Sequence, residues 1–194
     1  MTKRNNIRGQ FARISQVLRD FHQPFLHHLL SANQTNKMGE DEMSKKAVVR
    51  MPEEGRELSL AGKPLRFLVT GDDAKHTSMF DWTLPPSFST GLHVHHVLEE
   101  TFFVLEGECE WQIGDQRIVA KPGAYVFIPP GVPHNIANHS GKTARMIMTV
   151  SPPGHEHYFE ELTTLVASGG PPDAAAIADL RERYDTTQLS ILQT

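Results

Sequence analysis

One cysteine, Cys109, stands among 194 residues, so no disulfide can form within the chain. It falls in an alternating run, where a small apolar residue on a strand is the expected role. Long hydrophobic runs are also missing: nothing approaches the roughly 18 consecutive apolar residues of a membrane-spanning helix. Positive charge is in deficit, with 19 Lys and Arg against 23 Asp and Glu for a net charge of −4. No dense basic patch is interleaved with aromatics, which argues against a nucleic-acid surface. The expectation is a soluble cytoplasmic chain with neither nucleic acid nor membrane as partner. No internal repeat is visible, and 39% hydrophobic content suffices for one packed core with appendages.

Histidine, by contrast, is plentiful and concentrated. Between Pro85 and Asn138 lie His93-Val94-His95, then Glu100, then Pro129-Pro130-Gly131-Val132-Pro133-His134. Side chains alternate faces along a strand, so His93 and His95 point the same way, and His96 points the other way towards the surface. Glu100 follows His95 by five residues, enough for a bend to return its carboxylate to the same centre. His134 must come from another strand, reached through the turn-rich segment before it. Imidazole nitrogens with one carboxylate suit a divalent first-row metal (Fe, Mn, Ni, Co, Cu or Zn) better than Ca²⁺ or Mg²⁺. His93, His95, Glu100 and His134 are therefore the candidate metal ligands. His155 and His157 flank the exit from the last strand, where they could overhang the mouth, and the preferred reading is the polar start of a helix. His22, His27 and His28 read as solvated or partner-facing.

Taken in order, residues 1–42 are an N-terminal extension. Six basic residues there precede Glu40 against the single acid Asp20, and Ile14, Val17, Leu18, Phe21 and Phe25 fall at helical spacing. The stretch reads as an extension ahead of a true start at Met43, as a docked amphipathic helix, or as a targeting segment. Residues 43–152 carry a β pattern. Strands are expected at Ala47–Arg50, Pro64–Thr70, Ser78–Leu84, Thr101–Leu105, Glu108–Gly114, Gln116–Ala120, Tyr125–Ile128, His134–Asn138 and Ala144–Val150, with a polar turn at Glu53–Glu57. Phe80, Trp82 and Leu84 share one face, expected to look into a barrel. Residues 153–194 change to helical spacing over His155–Val166. Beyond Gly169-Gly170-Pro171-Pro172, Asp173 is the expected N-cap of a second helix bearing Ile177, Leu180 and Tyr184. From Thr186 the pattern carries no signal.

Two blocks of these residues resemble the signature motifs of the cupin superfamily. His93, His95, Glu100 and Gly107 fit the first, although Ser87 occupies the place of its leading glycine. Gly123, Pro129, Gly131, His134 and Asn138 match every fixed position of the second. Fifteen residues separate Gly107 from Gly123, a spacing typical of compact single-domain members. The resemblance implies an all-β cupin jelly-roll β-barrel with short C-terminal helices and the N-terminal extension, and an Asn138 that caps a turn through its amide.

In general appearance the chain is similar to the quercetin-dioxygenase-like cupins, over roughly residues 47–185. The run Glu100–Gly107, the Pro129–His134 segment and the Ser151-Pro152-Pro153-Gly154 exit carry this likeness. It implies a metal-dependent, dioxygenase-type oxidoreductase acting on a small enolisable or phenolic compound, with Glu100 as catalytic base. An apolar wall is expected from Phe80, Trp82, Phe102, Val104, Trp111 and Ile113. Two other readings stand beside it: a non-redox isomerase, lyase or cyclase, and a non-catalytic barrel that binds a small molecule. A regulator with a fused DNA-binding domain is disfavoured, because residues 1–42 are too short for a helix-turn-helix with its own core. A homodimer is expected from family habit and from the apolar pair Phe102 and Phe103 on opposite strand faces, although the C-terminal helices would cover such a pair equally well.

Overall fold

Alternation of apolar and polar residues governs the chain from Arg56 onward, and it yields strands. The computed structural model describes residues 47–167 and 173–190. The N-terminal extension 1–42, with its helical pattern, and the start at Met43 lie outside the described residues. In order come β1 (Arg56–Leu60), β2 (Lys63–Val69), β3 (Ser78–Leu84), β4 (Phe88–Ser89), β5 (His93–His95), β6 (Glu99–Glu106), β7 (Cys109–Ile113) and β8 (Gln116–Ala120). Then follow β9 (Tyr125–Ile128), β10 (His134–Asn138), β11 (Ala144–Ser151), α1 (His155–Val166), α2 (Ala174–Arg183) and β12 (Thr186–Gln188). The fold among the described residues is all-β with two short helices, as the sequence pattern predicts. Among the described residues no helix is long and apolar enough to cross a membrane.

Three local expectations need correction. Ala47–Arg50 forms no strand: its residues are exposed, and Val48-Val49 has no polar alternation that would leave one face to bury. The polar stretch at Glu53–Glu57 instead runs into a strand, and β1 pairs with β2 from Arg56↔Phe67 to Leu60↔Lys63. The two residues between them, Ala61 and Gly62, have φ of 51° and 72°, the left-handed pair that a two-residue hairpin loop requires. With only Leu58 and Leu60 apolar, β1 depends on its partner strand for definition. Finally, the featureless tail contains β12, which adds to the edge of a sheet.

The strands form two antiparallel sheets. One runs β1-β2-β3-β11-β6-β9 and the other β12-β5-β10-β7-β8, with β4 pairing β10. Between them Leu65, Phe80, Leu84, Phe102, Val104, Trp111 and Met146 are fully buried. Phe80 meets Phe67 and Phe159 edge-on at centroid distances of 5.2 and 5.3 Å, and Phe102 meets Trp111 at 4.6 Å. Each such buried side chain stabilises the fold by roughly 1.5–3 kcal/mol relative to exposure. Phe103, next to Phe102, is 43% exposed and shares the outer face of β6 and β9 with Tyr125 and Phe127.

Two motif positions are explained by backbone geometry. Gly107 has φ of 70°, and a Cβ there would lie 2.6 Å from the Thr143 carbonyl oxygen, so no other residue fits without displacement. Ser87, in place of the motif's leading glycine, holds φ of 65°, in the left-handed region where glycine is preferred. Asn138 is fully buried and acts as a capping residue. Its amide donates to the carbonyls of Leu84, Pro85 and Lys142, and its side-chain oxygen accepts from Ser140.

Candidate metal centre

The four candidate ligands come from both sheets. His93 and His95 lie on β5, His134 lies directly opposite His93 on β10, and Glu100 projects from β6 in the other sheet. The chain crosses between sheets at His96–Leu98. That corner is held by Asp185, whose carboxylate accepts from the amides of His96, Val97 and Leu98 at 3.2, 2.8 and 2.8 Å. A second link joins the two motifs, where the Gly131 amide donates to the His95 carbonyl at 2.7 Å. All four candidate side chains are buried.

Each imidazole is oriented from behind. Nδ1 of His93 lies 2.8 Å from the Gly91 carbonyl, Nδ1 of His134 lies 3.0 Å from the Val132 carbonyl, and Nδ1 of His95 lies 2.9 Å from the Asp185 carbonyl. A carbonyl oxygen can only accept, so each Nδ1 carries its proton and each Nε2 points inward, offering a lone pair on a neutral ring and an N–H towards Glu100 on a protonated one. This is the support that metal-ligating histidines require. Glu100 Oε2 stands 2.9 Å from His134 Nε2. Oε1 stands 3.5 Å from His95 Nε2, close enough for charge attraction but without hydrogen-bond alignment, so that buried nitrogen has no hydrogen-bond partner. The four donor atoms lie within 4.8 Å of one another. A first-row coordination sphere with bonds of about 2.1 Å has a diameter of about 4.2 Å. Donor chemistry, orientation and the orphaned Nε2 therefore all fit one divalent transition metal.

Titration behaviour follows from the same packing. Burial alone would raise the Glu100 pKa, but the imidazoles of His134 and His95 override it and hold the carboxylate well below its usual range. Burial and the neighbouring His134 push His93 down to about 3, which keeps it a neutral donor. For His95, burial works downward, but the Glu100 carboxylate prevails and raises it.

A cavity of about 120 Å³ opens onto this cluster, roughly ten times the space one ordered water needs. Only part of the expected apolar wall is in place. Trp82 and Phe102 line the cavity, whereas Phe80, Val104 and Trp111 are buried in the core beyond it, and Ile113 packs at the core's margin. Phe88, Ile136 and Met148 line the barrel side, α1 contributes His155, Tyr158, Phe159 and Leu162, and α2 contributes Arg181.

His155 corrects a sequence expectation. It is buried, with its ring centroid 6.0 Å from His95, and burial pushes its pKa down to about 4. The signal was in the spacing, since 155, 158, 159 and 162 form one helical stripe and the histidine belongs to it. Its neighbour Glu156, also buried, accepts from the Gly71 amide, the Ser78 hydroxyl and the Gly154 amide at 2.7, 2.6 and 3.0 Å. These bonds lock the start of α1 to the barrel. His96 and His157 are exposed. Asp185 and Thr186 carried no recognisable motif, and Arg181 looked like one more basic residue near a helix end.

Comparison with known proteins agrees with this geometry. The cupin-domain family matches residues 80–150, which include the whole candidate cluster. An uncharacterized protein of Methanocaldococcus jannaschii, MJ1618, is 31% identical over 85 residues, covering 44% of this chain and 67% of that protein. The HTH-type transcriptional regulator PuuR of Escherichia coli is 29% identical over 96 residues, 50% of this chain, and the match spans about half of PuuR's length (52%). Among solved structures, KdgF from Halomonas sp. superposes with a TM-score of 0.52 at 12% identity, covering 58% of this chain and 99% of that one, a likeness of fold. On its two sheets, its motif spacing and these matches, the chain belongs to the cupin superfamily.

Proposed function

We propose that the protein is a metal-dependent, dioxygenase-type oxidoreductase acting on a small enolisable or phenolic compound, with His93, His95, Glu100 and His134 holding one divalent metal. The observation that carries this reading is the converging set of three backbone-anchored imidazoles and one carboxylate, facing a cavity walled largely by apolar side chains. The metal would supply Lewis acidity and, if redox-active, access to dioxygen chemistry. Glu100 takes the proton from the acidic hydroxyl or C–H of the substrate, as an ionised carboxylate within the cavity can. Phe102, Trp82 and Phe159 exclude water around it.

A second reading, a non-redox isomerase, lyase or cyclase, draws support from His155. Glu100 and His155 place two proton-carrying groups on one cavity, a pairing that proton relocation uses and oxygen insertion does not need. Elemental analysis of protein purified without a metal-binding tag is the first test. Near-stoichiometric Fe, Mn, Ni, Co or Cu, lost in His134→Ala, is the expected result, followed by oxygen uptake with small diketones or phenols. Zinc, or turnover without oxygen uptake, supports the second reading. No metal after reconstitution overturns both. The reading includes a homodimer, supported by the exposed Phe103, Tyr125 and Phe127 on one outer face.

A further inference from the structure

We infer that Arg181 is an anion anchor, and that the molecule bound in the cavity is a small organic carboxylate held by its acid group at this end. This rests on the reading that the cavity is the substrate site. Arg181 lies on α2 and is 8% exposed. Its Nε donates to the Tyr158 hydroxyl at 3.3 Å and its Nη2 to the Thr90 carbonyl at 3.2 Å. Its Nη1 is buried with no hydrogen-bond partner, and no carboxylate stands within ion-pair distance of the guanidinium among the described residues. Nearby Arg183, which faces solvent, is paired with Glu161 and Asp179. The buried arginine is thus the unpaired one, the reverse of what solvation favours.

A guanidinium stays charged in proteins, and burying it without a counter-charge is strongly disfavoured. A ligand that brings the counter-charge removes the conflict. The geometry says where. Arg181, Tyr158 and Thr90 line the same cavity as His93, His95 and Glu100. His155 stands between the two ends, its ring centroid 6.0 Å from His95 and 4.8 Å from Tyr158, and its buried Nδ1 is also without a hydrogen-bond partner. The residues that carry these two orphaned atoms, Arg181 and His155, thus both line one small cavity from its helical side, each atom itself buried. Of the acids near Arg181 in the chain, Glu182 is exposed, Asp179 pairs with Arg183, and Asp185 is already engaged by three amides. A divalent cation held by the four candidate ligands would over-compensate Glu100 and would further favour an anion here. A purely structural arginine, stapling α2 to α1 and to Thr90, would need Nε and Nη2 but neither Nη1 nor a charge. A cavity of about 120 Å³ suits a small ligand.

The test is calorimetric titration of metal-free and metal-loaded protein with propionate, 2-oxobutyrate and acetoacetate, each beside its methyl ester. Wild type should prefer at least one acid over its ester by about tenfold or more, as a hydrogen bond to a charged group supplies. The preference should persist without metal and fall to about unity in Arg181→Met. Acids and esters binding alike, no acid binding at all, or a preference that survives in Arg181→Met would overturn the inference. If the variant does not fold, wild-type crystals soaked in sodium bromide decide. An anomalous peak beside Nη1 of Arg181 supports the anchor, and its absence overturns it. Because the acid preference is read without metal, a protein that holds no metal yet discriminates acid from ester would sink the metal proposal and leave this one standing.

Discussion

The cavity has two walls, built in opposite ways. On the barrel side, His93 and His134 are oriented by carbonyls two residues before them in the chain, Gly91 and Val132. Those donors are set by local strand and turn geometry. On the helical side, His155 is placed by Glu156 bonding back to Gly71 and Ser78, more than seventy residues away, and Arg181 is placed by Tyr158 and Thr90. His95 belongs to both, since it sits on a barrel strand but its Nδ1 is held by the Asp185 carbonyl. The difference teaches that the cluster of candidate donors is a property of the barrel, whereas the shape and polarity of the space in front of it belong to the C-terminal segment.

Predictions follow from breaking one wall at a time, the largest effect first. His134→Ala removes a fully buried donor, and elemental analysis should find the metal largely lost while circular dichroism still reports the barrel. Asp185→Ala removes the clamp on the sheet-to-sheet corner between His95 and Glu100. Metal affinity should fall about 10-fold or more, as loss of ligand support does, and denaturant unfolding should lose about 1.5–3 kcal/mol. If affinity is unchanged, the corner is held by the barrel alone and the division between the walls is wrong.

Glu156→Gln loosens only the helical wall. The Glu156 carboxylate is buried, which alone would raise its pKa, but its bonds to Ser78, Gly71 and Gly154 lower it below 4.5. A depressed carboxylate stabilises the fold above its unfolded pKa and loses that contribution as pH falls through the folded value. Wild type should therefore exceed the variant by about 1–3 kcal/mol at neutral pH, and the gap should narrow steadily below pH 4.5. Metal content should not change, and a loss would show the walls to be coupled. A smaller effect has the opposite sign: Ser87→Gly relieves a left-handed serine and should raise stability by roughly 0.5–1 kcal/mol in thermal unfolding. His157→Ala, exposed beside His155, should stay within about 0.5 kcal/mol of wild type.

Legibility followed the same division. Strands β3, β8, β9 and β10 and helix α1 have the bounds that alternation, turn residues or helical spacing indicate, because those signals are written in their own residues and immediate neighbours. The Ala47–Arg50 segment misled because apolar residues without a partner strand form no ladder. β1 was hidden because its hairpin loop, Ala61-Gly62, contains no Asn or Asp to announce it. The candidate donors were legible from motif spacing, whereas His155 reads from its neighbours as a polar helix start, although its place on the helical stripe could have marked it. Asp185, Thr186 and Arg181 were not, since their partners lie about ninety residues away and nothing in their neighbours marks them.

By itself, then, the sequence determined an all-β barrel and the four side chains that converge in it, because periodicity, turn chemistry and i−2 carbonyl anchors act over a few residues. Only the tertiary structure decided what faces those four side chains. A neutral buried histidine, a guanidinium with one unpaired nitrogen and an aspartate clamping the sheet corner arise where the C-terminal segment folds back over the barrel. Such long-range juxtapositions depend on how whole elements pack and leave no local pattern to read.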